Sequence, residues 1–157
     1  MVRRAQLNPL GLNWERFTVA VDGVQRIIGC VQLKPHGNAS HREGSLPGGA
    51  LELASLVVDR DWRRRGVATR LIEVTKANAG ETLWLMCESR LVPFYERFDF
   101  HNGLQANDMP PYFRRIWRLV AVARFVMRRE PGLSIMRWQA QDKSFQRVSD
   151  RTDTRTF

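Results

Sequence analysis

The sequence predicts a mixed α/β or α+β layer fold. Three observations lead there. Two alternating segments meet at an Asp-Gly turn, an apolar strand runs through an arginine-rich turn into a helix, and short apolar strands then alternate with helical patterns.

Taken in order, the first dozen residues are polar and mixed, with a partial helix ending at the turn-like "LNPLGLN". "RFTVAVDG" alternates and stops at Asp22-Gly23, and "QRIIGCVQLKPHG" follows directly, so the two form a hairpin. "NASHREGSLPGGA", residues 38–50, is rich in Gly and Ser and reads as a mobile loop. "LELASLVVD" is the next strand, and its end at Leu56, Val57 and Val58 predicts burial on both faces. Beyond the arginines, Val67, Leu71 and Val74 recur on one helix face. "TLWLMCE" is a short strand and "VPFYERF" a short helix with Pro93 near its start. "DFHNG" is a strand fragment and turn. From Pro110 a longer helix runs through "PPYFRRIWRLVAVARFVMRRE", and "GLSIMRW" is the last strand. A single domain over 1–138 with a loose polar tail over 139–157 is the expected organisation.

At 157 residues, 43% hydrophobic with five tryptophans, the chain is long enough for one sizeable core and too apolar for disorder. Twenty-five Lys and Arg against 16 Asp and Glu leave +9, which points to an anionic partner: nucleic acid, a membrane surface or a phosphorylated small molecule. Cys30 and Cys87 sit in apolar runs and read as buried free thiols. His36, His41 and His101 have no ligand spacing, so no metal site is expected. Without a signal peptide or an 18-residue apolar run, the expected location is cytoplasmic.

The arginine stretch "DRDWRRRGVATRLIE" carries the functional signal. A helix start already presents unpaired N–H groups and a positive dipole end, so Arg63, Arg64 and Arg65 there cost stability unless an anion is expected. Gly66 lets backbone approach a ligand closely, and Val67, Ala68 and Thr69 would present free N–H groups to a phosphate. Neither the Walker pattern nor GxGxxG is present.

Arg63-x-x-Gly66-x-Ala68, placed after "LVVDRDW" and followed by a helix, a strand and "VPFYERFDF", resembles the GNAT superfamily of N-acetyltransferases. Its acyl-CoA loop is [Gln/Arg]-x-x-Gly-x-[Gly/Ala], and its later aromatic helix carries a similar "FYE" segment. The likeness runs from Glu15 to Leu104 and includes the last strand. It implies a mixed, mostly antiparallel sheet splayed to admit acetyl-CoA as cosubstrate, with Leu56, Val57 and Val58 along the pantetheine arm. The loop from Arg63 to Thr69 would hold the pyrophosphate. An amine acceptor would be acetylated by direct attack in a ternary complex. Glu52, eleven residues ahead of Arg63, is similar to the family's general base; the alternative is a strand carboxylate facing solvent or pairing with an arginine. The Val58 N–H would stabilise the oxyanion, and Tyr95 would protonate the leaving thiolate or else simply pack between Phe94 and Phe98.

Three departures stand against the family pattern. Glu88, seven residues before Tyr95, replaces a common asparagine, so that Ser89 would take over its cofactor contact. Asp99 replaces a glycine. Only fifteen residues precede the first hairpin strand, where members have further elements, and an edge left open there would favour pairing with a second copy. In the long helix, Ile116, Leu119, Val120, Ala123, Val126 and Met127 are expected on one side. Arg114, Arg115, Arg118, Arg128 and Arg129 are expected on the other, as a solvated face or a contact for nucleic acid or membrane. The two readings are therefore an N-acetyltransferase and a non-catalytic CoA-binding, nucleic-acid-binding or membrane-binding module on the same fold.

Overall fold

The computed structural model describes residues 13–37, 49–102, 104–127 and 132–140. Expectations for the N-terminal partial helix, for residues 38–48, for Arg128 and Arg129, for the side chains of Ala123, Val126 and Met127, and for the tail beyond Ala140 lie outside what it describes.

Five strands form one sheet in chain order: β1 (Phe17–Val21), β2 (Ile27–His36), β3 (Ala50–Val58), β4 (Thr82–Glu88) and β5 (Leu133–Gln139). All neighbours are antiparallel except β3 and β4, which are parallel and joined by the crossover helix α1 (Val67–Ala79). The β1–β2 turn forms where expected because Asp22 supplies its own local acceptors. Its carboxylate takes hydrogen bonds from the N–H groups of Val24 and Arg26 at 3.0 and 2.9 Å.

One local irregularity shapes the sheet. Between the pairs Cys30↔Val57 and Gln32↔Ala54, two residues of β3, Ser55 and Leu56, oppose the single residue Val31. Ser55 has φ +54°, so β3 carries a bulge that bends it. β3 pairs with β4 only at Glu52↔Trp84 and Leu53↔Leu85, and the two strands are unpaired beyond that point. This is the splayed gap. It also corrects one expectation: Val57 is buried, but Leu56 and Val58 are half-buried because no strand covers their β4 side.

The sheet separates two cores. On one face α1 and the short α2 (Val92–Glu96) cover Val31, Leu53, Leu85 and Met136, with Leu71, Ile72, Tyr95 and Phe98 contributed by the helices and the turn after them. Gly29 makes the close approach of α1 possible, since a Cβ there would stand 2.9 Å from Val67 Cγ1 and 3.2 Å from the Val57 carbonyl. On the other face α3 (Pro111–Met127) seats Phe113 against Trp84 and Ile135, with Tyr112 and Ile116 beside it.

The division of α3 differs from the expected one. Leu119 is 69% exposed, because at about 100° per residue it lies on the arc of Arg115 and Arg118 rather than that of Phe113, Ile116 and Val120. Arg114 is half-buried and donates to the carbonyls of Ala106, Asn107 and Met109, closing the turn before the helix instead of facing water. The described part of "DFHNG" supplies an isolated bridge, His101↔Arg137, rather than a strand, and β5 runs on to Gln139, one residue into the expected tail.

Candidate active site

The mouth of the gap is built from the end of β3 and the start of α1. Asp59 donates its N–H to the Ile28 carbonyl at 2.8 Å and so faces β2. By strand alternation Val58 turns its N–H and C=O toward the gap, where Arg63 Nε reaches its carbonyl at 3.4 Å. A 3₁₀ turn, Arg60–Trp62, capped by Asp59, hands the chain to the arginines. Arg64 and Gly66 both have left-handed backbones, φ +61° and +79°. The first helical bond is Arg70 N–H to Gly66 C=O at 3.0 Å, and no side chain caps the helix. The N–H groups of Val67, Ala68 and Thr69 therefore have no acceptor within the helix. A Cβ at Gly66 would meet nothing within 4 Å, so the glycine opens toward free space. A cleft of about 580 Å³ lies here, lined by Val58, Trp62, Arg63, Arg64, Gly66, Val67, Ala68, Thr69, Phe94 and Arg97. The structure thus brings most of the expected cofactor residues together. Arg65 turns instead toward the β1 side, with its guanidinium over the Trp62 ring at 5.2 Å.

Tyr95 and Ser89, both expected at the site, stand elsewhere. Tyr95 is buried behind Phe94, in edge contact with Phe94 and Phe100, and it does not line the cleft. Burial, then the neighbouring Cys87, pushes its phenol up to about 12. Ser89 shares a 3.0 Å hydrogen bond with Ser134 at a second cleft of about 480 Å³ between β5, α2 and α3. Glu88 pairs with exposed Arg90 at 2.5 Å. Asp99 carries φ +62°, which accounts for glycine as the common residue at that turn.

Glu52 is on the α3 face, one rung before the last β3–β4 pair, Leu53↔Leu85, and is only 5% exposed. Its Oε2 is 2.5 Å from His36 Nε2. The imidazole stacks on Tyr112 with ring centroids 3.6 Å apart and meets the edge of Phe113 at 5.7 Å. Burial, then the Glu52 carboxylate, raises the Tyr112 phenol above its ordinary value. Neither alternative foreseen for Glu52, solvent or an arginine, is what it finds. His36 and Tyr112 were missed, since they come from strand and helix segments far apart in sequence. The only available signal was the even spacing of Gln32, Lys34 and His36 on one strand face. Among the described residues no group of three or more His, Cys, Asp or Glu could hold a metal, and no helix is long and apolar enough to cross a membrane.

A parallel strand pair that opens beside an arginine-flanked helix start defines an α/β acyltransferase-type fold. Residues 13–102 match the family profile described as the acetyltransferase (GNAT) domain, and the chain belongs to that family. A search of curated sequences returns no match. Among solved structures, the chain is similar to the Bacillus subtilis N-acetyltransferase YlbP in complex with coenzyme A. The TM-score is 0.52 at 17% identity, over 80% of this chain and 68% of that one. It is also similar to N-acetylglutamate synthase from Neisseria gonorrhoeae complexed with coenzyme A and N-acetyl-glutamate, with TM-score 0.58 and 14% identity, over 90% of this chain but 31% of that one. A third is a GNAT-family acetyltransferase from Staphylococcus aureus, with TM-score 0.51 and 15% identity over 80% of this chain and 67% of that one. At these identities the likeness is one of fold.

Proposed function

We propose that the protein is an N-acetyltransferase that moves an acetyl group from acetyl-CoA to a primary amine by direct attack in a ternary complex. The observation that carries this reading is the coincidence of the β3–β4 gap with the uncapped, arginine-flanked start of α1 at its mouth. An extended pantetheine arm fits the gap as an added strand, along Leu56, Val57 and Val58. The N–H groups from Arg64 to Thr69 suit the pyrophosphate, and Arg63 and Arg64 add charge. The Val58 N–H, turned into the gap, serves the developing oxyanion. Glu52 belongs to the base that draws the proton from the amine. Tyr95, kept protonated by burial, supplies one to the departing thiolate, after a small shift of Phe94.

Calorimetric titration with acetyl-CoA, repeated on R63A/R64A, tests the cofactor site. Charge-assisted contacts of about 1.5–3 kcal/mol each make a loss of at least ~10-fold in affinity the expected outcome. Unchanged affinity would remove the loop from the cofactor site. The position of Tyr95 behind Phe94 favours a second reading, a CoA-binding module without turnover. Release of free thiol with a panel of primary amines (a lysine peptide, a polyamine, an aminoglycoside) separates the two, because a sensor binds without releasing CoA.

A further inference from the structure

We propose that His36 and Glu52 act as one proton-accepting pair, in which His36 Nδ1 takes the proton that the acceptor amine must lose. This rests on the acetyltransferase reading above. The carboxylate has committed Oε2 to His36 Nε2 at 2.5 Å. With Glu52 ionised, Nε2–H is the donor, so the lone pair of the ring lies on Nδ1. Hydrogen-bonded to Glu52 through Nε2, the imidazole has Nδ1 as its other ring nitrogen, and because no sealed side-chain nitrogen or oxygen among the described residues lacks a partner, Nδ1 is not a sealed, unpaired atom. Tyr112 at 3.6 Å and the edge of Phe113 hold the ring plane, so the lone pair keeps its direction.

The surrounding charges favour the pair over the carboxylate alone. Lys34 is the cross-strand partner of Glu52, yet among the described residues the ion pairs of Glu52 are with His36 only. Arg137 lies over the Trp84 ring at 5.9 Å, and the Tyr112 phenol stays neutral. An arriving proton therefore makes an imidazolium whose charge Glu52 already balances. An imidazole is also a stronger base than a carboxylate, so transfer from an ammonium group runs less steeply uphill.

The step balances without a further reagent. An N–H bond of the ammonium breaks toward Nδ1 and leaves its electron pair on nitrogen. That pair forms the C–N bond to the thioester carbon while the C–S bond breaks. The second amine proton ends on the thiolate, through Tyr95 or water, and His36 returns its own proton to solvent.

His36→Gln retains an N–H donor toward Glu52 but has no titratable lone pair, and His36→Phe keeps only the stack. Both are expected to lower kcat by roughly 100-fold or more with the best amine of the panel, while acetyl-CoA affinity by calorimetry stays within about 2-fold. His36→Gln with wild-type kcat would overturn the pair and leave His36 a positioning residue. An arm that needs no acceptor uses ¹⁵N-histidine NMR of the wild-type chain. The neutral Nε2–H tautomer is expected at about pH 8, and an Nδ1–H tautomer sinks the proposal. Wild-type protein that releases no thiol with any amine overturns the acetyltransferase reading and this proposal with it. Release that survives in His36→Gln overturns the pair alone.

Discussion

The mouth of the gap and the α3 face of the sheet handle charge in opposite ways. At the mouth, Arg63, Arg64 and Arg65 are exposed, and beside them main-chain N–H donors at a helix start have no side-chain cap. On the α3 face a carboxylate and an imidazole are buried together and held by aromatic rings. Recognition of a doubly charged anion tolerates water, because fixed N–H dipoles and several arginines act together. A proton acceptor gains from the reverse, since a carboxylate–imidazole bond is strongest where solvent cannot compete for it. The first region depends on backbone conformation and the second on packing. Substitutions can separate them.

The largest effect is expected from Phe113→Ala. Phe113 is fully buried between Trp84 and His36, and truncation should cost about 3–5 kcal/mol in urea unfolding while loosening the Tyr112–His36 stack. Acetyl-CoA affinity, measured cold where the variant remains folded, should stay near wild type. A parallel fall in affinity would mean that the two faces are not independent. Gly29→Ala probes the other side. A Cβ 2.9 Å from Val67 Cγ1 and 3.2 Å from a backbone carbonyl must push α1 outward, costing roughly 1–3 kcal/mol. Because Val67 is the first residue of the helix, acetyl-CoA binding should weaken together with stability. Stability lost without any change in binding would show that the cradle does not depend on this contact.

Alkaline titration is a smaller test of the α1/α2 core. Burial pushes Tyr95 up to about 12 and Cys87 to about 11. For both, the folded state holds a proton that the unfolded state releases at lower pH. Their contribution is thus intact below the unfolded values, about 9 for the thiol and about 10 for the phenol, and is lost as pH rises toward 11 and 12. The melting temperature should fall by a few degrees, roughly 5 °C, between about pH 9 and 11. Tyr95→Phe should remove the upper part of that fall. An identical profile in Tyr95→Phe would mean that burial of the phenol does not couple its titration to folding.

The mouth was legible in the sequence because its parts are contiguous. A left-handed glycine, the arginines and the helix start all fall between Arg63 and Thr69, and local rules cover each of them. The hairpin was legible for the same reason, through Asp22. The splay has a local cause too, the left-handed Ser55, but no local signal, since nothing about a serine in an apolar strand announces a bulge. The Glu52–His36–Tyr112 arrangement was out of reach. It joins β3, β2 and α3, and α3 lies outside the residues matched by the family profile. Glu52 itself was found only through a spacing relative to Arg63. Its partner depended on a β2–β3 register that places His36 beside it, a diagonal neighbour on one face of the sheet.

Leu119→Lys closes the comparison from within a single helix. Six residues beyond Phe113, Leu119 lies 69% exposed on the arc of Arg115 and Arg118, so lysine there adds charge to an already basic strip and removes little buried surface. The expected change is within about 0.5 kcal/mol in urea unfolding, against several for Phe113→Ala. The ratio of the two measures how much of the attachment of α3 runs through the one ring that touches both Trp84 and His36. A cost above about 1.5 kcal/mol at Leu119 would mean that the outer arc packs against something in solution. The α3 face would then be a buried layer on both sides rather than a single helix laid over the Glu52–His36 pair.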